Sequence, residues 1–180
     1  TAWKAWCDNI NYLWNVGHSD NLKWLYDFDA LLADEKIIAG MAALVGKYNR
    51  NLGDRRSHVD NIRRTQLKID RNDLQKVKNK KDASNLKAGA KAEWAVFAAA
   101  KAAGRTGGSR ADDRAKEMER RADAKLRANH GLVAENSTLR EEVRDYERKI
   151  AKIDRDNEAL KEDMKQLRIE HDKKAKEAGG

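Results

Sequence analysis

The chain is predicted to be all-α, with a short N-terminal helical bundle, a long basic helix and a C-terminal parallel two-stranded coiled coil. Three observations lead there. Its 180 residues contain no proline, so nothing removes a backbone donor or locks φ inside a long helix. Charged residues make up 38% and aromatics only 6%, a balance closer to long helices than to a globular core. Finally, an uninterrupted seven-residue repeat runs onward from Leu132.

Residues 1–53 carry most of the bulky apolar side chains, with five basic against six acidic residues. Trp3, Trp6, Ile10, Leu13 and Trp14 recur at helical spacing, and Gly17, His18 and Ser19 read as a helix stop followed by a new N-cap. A second helix presents Leu22, Leu25, Phe28, Leu31 and Leu32. A third, from about Asp34, presents Ile37, Ile38, Met41, Leu44, Val45 and Tyr48 until Gly53 ends it. Trp3, Trp6, Trp14 and Trp24 are the expected anchors to a partner, because desolvated tryptophan dominates interface energetics. The alternative is that they pack only among themselves.

Residues 54–103 hold thirteen basic and six acidic residues, a net of +7 in a chain whose total is +8. Asp54 is the expected N-cap of one long basic helix, with Val59, Ile62, Ile69, Leu74 and Val77 as a thin apolar stripe. Arg63, Arg64, Lys76, Lys78, Lys80 and Lys81 are the candidate partner-binding cations. The alanine-rich run 88–103 surrounds a small patch of Trp94, Val96 and Phe97 that is expected to dock on something. GRTGGS at 104–109 is the one glycine-dense stretch and the expected linker between domains.

Residues 110–180 form the predicted coiled coil. Between 110 and 128 only Ala111, Ala115, Met118 and Ala122 could form a seam. Beyond it the heptad d positions are Leu132, Leu139, Tyr146, Ile153, Leu160 and Leu167, and the a positions are Asn136, Val143, Ile150, Asn157 and Met164. A strict seven-residue repeat drifts around a straight helix, so this seam demands a partner helix. Asparagine at a favours two aligned parallel strands in which each amide meets its twin. Charges agree with that orientation: Glu135 with Arg140, Lys149 with Asp154, Asp156 with Lys161 and Asp163 with Arg168 attract across a parallel homodimer, and only Glu142 with Glu147 repels. A heterodimer with a related chain is the open alternative.

The run Ala134, Glu135, Asn136, Leu139, Arg140, Glu141, Glu142, Val143 resembles the zipper entry of basic-leucine-zipper transcription factors. That family reads DNA with a basic helix immediately upstream. Here the upstream segment Arg114 to Arg127 carries Glu117, Glu119 and Asp123, with Gly131 at the junction, so the family's DNA-binding residues do not map onto it.

Little chemistry is expected. The histidines at 18, 58, 130 and 171 are scattered, which argues against a zinc site, and no cofactor is expected. Asp27, Asp29, Asp34 and Glu35 cluster in sequence but read as acids complementing helix N-termini. No stretch approaches the roughly 18 apolar residues a membrane span needs. The single Cys7 is compatible with an intracellular, cytoplasmic setting. The expected role is therefore a non-catalytic scaffold that dimerises through its C-terminal helix and binds an acidic protein filament or assembly. Nucleic-acid binding by residues 55–81 is the alternative.

Overall fold

The computed structural model describes residues 35–105 and 109–179, which are all-helical. Helix α1 spans Glu35–Ala102 (68 residues) and helix α2 spans Ser109–Gly179 (71 residues). The first two helices of the expected N-terminal bundle, and with them Trp3, Trp6, Trp14 and Trp24, lie outside the described residues. The expected third helix forms but does not stop at Gly53. It continues without a break through Asp54, the expected N-cap, because an interior glycine costs a helix only about 1 kcal/mol while packing on either side holds it.

Gly104 is the real stop. It adopts φ = +71°, and the bonds Arg105 N–H to Ala100 O (2.9 Å) and Gly104 N–H to Lys101 O (3.1 Å) close a Schellman cap. Lys101 in the last turn of α1 and Asp112 in the first turn of α2 complement the two helix dipoles. Helix α1 ends at Ala102 and α2 begins at Ser109, on either side of the expected linker and within one compact unit of the chain, Ile62–Arg144.

The two helices pack together, and among the described residues their contacts form two compact units: residues 35–61 with 145–179, and Ile62–Arg144. In each, α1 and α2 run antiparallel. Within the first unit Asn51 bonds Asn157 and Arg55 bonds Asp154, so the partner's number falls as α1 advances. Within the second, Asn72 bonds Asn136 and Asn79 bonds Asn129. The α2 seam therefore does find a helix to pair with, but that helix is α1 of the same chain, not a parallel copy of α2. This pairing differs from the expected parallel homodimer seam.

The reason is a second heptad string. In α1 the positions 37, 41, 44, 48, 51, 55, 58, 62, 65, 69, 72, 76, 79, 83, 86, 90, 93, 97 and 100 alternate in steps of four and three, and all are buried or half-buried. In the first unit Ile37, Met41, Val45 and Tyr48 are buried, as are Leu160 and Met164 from α2. The second unit is filled differently. Ala83, Ala90, Ala111, Ala115 and Ala122 are buried there, and a Cβ at Gly89 would come within 3.1 Å of the Met118 sulfur. Small side chains on both helices let the backbones approach, so the weak expected seam of 110–128 is a true continuation of the repeat.

Candidate interaction surface: a polar seam and a basic outer face

Every residue of the predicted seam is buried or half-buried in its own unit. Asn136 and Met164 are fully enclosed, Leu139, Asn157 and Leu160 nearly so, and Leu132, Val143, Tyr146, Ile150, Ile153 and Leu167 half-buried. Polar layers interrupt the apolar ones. In Ile62–Arg144 the Asn72 amide donates to Asn136 (2.9 Å), and Asn136 donates on to Asp73 (3.0 Å). One heptad further, Gln75 donates to Asn79 (2.8 Å), Asn79 to Asn129 (2.9 Å), and Asn129 to the Lys76 carbonyl (3.1 Å). In the other unit Asn51 donates to Asn157 (2.8 Å). An amide enclosed without partners costs about 1–3 kcal/mol, and here each one is answered by an amide on the facing helix.

Ion pairs across the helices flank these layers: Arg55 with Asp154 (2.8 Å) in one unit, Lys125 with Asp82 (3.5 Å) and Arg114 with Glu93 (3.0 Å) in the other. In three of the four charge pairs expected across a parallel dimer, one member is engaged elsewhere. Asp154 meets Arg55, Lys161 meets Glu158 and lies 6.0 Å from the Tyr48 ring, and Arg168 meets Asp172. Burial pushes the Tyr48 hydroxyl above its ordinary pKa, against the opposing pull of Lys161. Lys76 does not join the outward basic face. It is half-buried at a seam position with Asp73 at 2.8 Å, a bond that holds the Asp73 carboxyl below its usual range.

Of the Trp94, Val96 and Phe97 patch, Trp94 and Phe97 are half-buried, their rings edge to face at 5.8 Å with the Trp94 indole donating to Glu119 (2.8 Å), while Val96 is 55% exposed. On α2 itself the cations find local acids. Glu117 accepts from Arg120 and Arg121, which lowers its carboxyl to about 2, chiefly through the Arg120 bond.

The outer face of α1 is different. Arg63, Arg64, Lys78, Lys80 and Lys81 are exposed, together with Arg71. Among the described residues no ion pair joins Arg64, Arg71, Lys78, Lys80 or Lys81 to an acid, whereas the α2 basics of the same unit are largely paired. Ile62–Arg144 holds twenty-one Lys and Arg against twelve Asp and Glu, a net of +9. Residues 35–61 with 145–180 hold fifteen against thirteen, a net of +2.

The expected apolar stripe of α1 is split. Ile69 is buried and Val59 and Ile62 half-buried at or beside the seam, but Leu74 and Val77 are 72% and 67% exposed on the outside. Sequence reasoning also passed over Asn51, Asn72, Asn79 and Asn129. A signal for them existed: Asn51, Asn72 and Asn79 are spaced by 21 and 7 residues, and Asn129, Asn136 and Asn157 by 7 and 21, the mirror order that antiparallel helices require.

A groove of about 950 Å³ lies in Ile62–Arg144, lined among others by Leu86, Gly89, Met118, Ala124 and Ala128. Among the described residues no three His, Cys, Asp or Glu side chains gather as a metal site would require, and no helix is long and apolar enough to cross a membrane. No protein family, curated protein or solved structure matches the chain.

Proposed function

We propose that the chain works by binding other proteins, as a scaffold whose own antiparallel coiled coil holds an outward-facing docking surface, and that it carries out no catalysis. One observation supports this above the rest: the α2 seam is occupied by α1 of the same chain, through Asn51–Asn157, Asn72–Asn136 and Asn79–Asn129. A coil completed internally needs no second copy to bury its apolar repeat. What it offers to other molecules is its outer face, and in Ile62–Arg144 that face is strongly basic.

The mass of the full chain in solution, measured by light scattering, tests this reading. The expected value is that of one chain, 20.5 kDa, across the accessible concentration range. A dimer dissociated by Asn136→Lys would mean that the seam pairs copies, and the reading would fall.

Binding of nucleic acid is the second reading, favoured by the concentration of charge in one unit. Phosphate neutralisation by Arg64, Arg71, Lys78, Lys80 and Lys81 would make such binding steeply salt-dependent. Glu117, Glu119 and Asp123 on the neighbouring helix, and the absence of aromatic residues among the α1 cations, weigh against it.

A further inference from the structure

We infer that the outer face of α1 between Arg64 and Lys81 is a docking strip for an acidic amphipathic helix of a partner protein. This rests on the scaffold reading above and names the partner's chemistry. In a coiled-coil helix the position opposite the seam is ordinarily the most polar of the seven. Here it holds Leu67 and Leu74, 51% and 72% exposed, with Val77 beside them at 67%. Leu67, Leu74 and Val77 are spaced by seven and three residues, which is a short second heptad stripe facing away from α2. Large apolar side chains left open in a row mark an interaction site more often than a plain surface.

The cations beside that stripe have the same period. Arg64, Arg71 and Lys78 follow one another at seven-residue intervals, and Lys81 lies one turn beyond Val77. All four are exposed and none is ion-paired among the described residues, while the one acid within the stripe, Asp70, already accepts a bond from Gln66 (3.1 Å).

Period decides between partners. Seven residues advance a helix by about 10.5 Å, so a second helix alongside repeats its side chains in step with Arg64, Arg71 and Lys78. Glutamate or aspartate at heptad spacing would meet each cation while leucines of that helix covered Leu67, Leu74 and Val77. A nucleic-acid backbone offers the charge but no apolar surface for the leucines. A bilayer would require a broader apolar face than three residues provide.

The test uses the full chain and a fluorescein-labelled synthetic helix of about three heptads, with a leucine stripe flanked by glutamates, read by fluorescence anisotropy. The control peptide has lysine in place of each glutamate, and duplex DNA and phosphatidylserine vesicles form the remaining arms. The acidic peptide is expected to bind and the lysine peptide not to. Leu74→Glu is expected to weaken the acidic peptide by about tenfold or more, as loss of a central apolar anchor does. Arg71→Glu is expected to weaken it as well. The unfolding midpoint of Leu74→Glu should stay near the wild-type value, because Leu74 is 72% exposed.

Equal binding of both peptides, no binding of the acidic one, indifference to Leu74→Glu, or binding of DNA or vesicles in its place would each overturn the proposal. The two levels separate cleanly. A monomeric chain that ignores the peptide removes only the docking strip, whereas a chain that dimerises through its seam removes the scaffold reading with its internally completed coil, whatever the peptide does.

Discussion

Asn136 shows how a single polar residue orients this fold. Its side chain is 0% exposed, accepts from Asn72 and donates to Asp73, so both ends of the amide are satisfied by α1. A net hydrogen bond contributes only about 1 kcal/mol, but a buried orphan costs about 1–3 kcal/mol. The layer therefore selects a register more than it adds stability. Were α2 to slip by one heptad, Asn72 would face Val143 and Asn129 would face Leu86, leaving two amides against aliphatic side chains. Asn136→Leu is thus expected to lower stability by about 1–3 kcal/mol by stranding the Asn72 amide. The double variant Asn72→Leu, Asn136→Leu should recover most of that loss, with a coupling of about 0.5–3 kcal/mol. Urea midpoints of the four proteins in the cycle would measure it. A single variant as stable as wild type would show that the pair has no role in the seam.

At the scale of the helix, what could be read depended on which side chains fill the seam. The α2 repeat was legible because its d positions are Leu132, Leu139, Tyr146, Ile153, Leu160 and Leu167, all bulky and apolar or aromatic. The α1 repeat is equally regular but holds Asn51, Arg55, His58, Thr65, Asn72, Lys76, Asn79 and Glu93 at seam positions. Hydrophobic periodicity cannot register polar knobs, so the eye follows Leu74 and Val77, which face outward. The seam's partner helix was legible as a need, its identity and direction were not: flanking charges such as Asp154 and Lys161 suit either orientation until Arg55 and Tyr48 are seen opposite them. Glycine misled for a related reason. Gly53 and Gly104 look alike in sequence, yet only Gly104 has positive φ. Gly53→Ala is expected to stabilise the chain by about 0.5–1 kcal/mol, since an added Cβ meets nothing within 4 Å. Gly104→Ala should destabilise by about 1–2 kcal/mol, because the cap requires a left-handed residue. Thermal midpoints shifting in the same direction for both would contradict this account of where α1 ends.

For the molecule as a whole, the question is whether its seam closes within one chain or between two, and the two answers have different mass-action laws. Folding that pairs α1 with α2 of the same chain is unimolecular, so its midpoint is independent of concentration. If α2 instead paired with another copy, each tenfold rise in concentration would favour the folded state by about 1.4 kcal/mol. For a chain of this size 1 kcal/mol moves the midpoint by about 2–4 °C, so a hundredfold range would move a dimer by roughly 5–10 °C. Charge works in the same direction as the internal seam. A parallel pair would bring two copies of a chain of net +8 together, whereas in the internal pairing Arg55, Lys125 and Arg114 are answered by Asp154, Asp82 and Glu93 of their own chain. The midpoint of helix unfolding, followed by circular dichroism at 222 nm over about a hundredfold range of concentration, is therefore expected to stay constant within about 1 °C. A rise of several degrees with concentration would assign the pairing to separate chains, and the asparagine layers would then have to be sought between molecules.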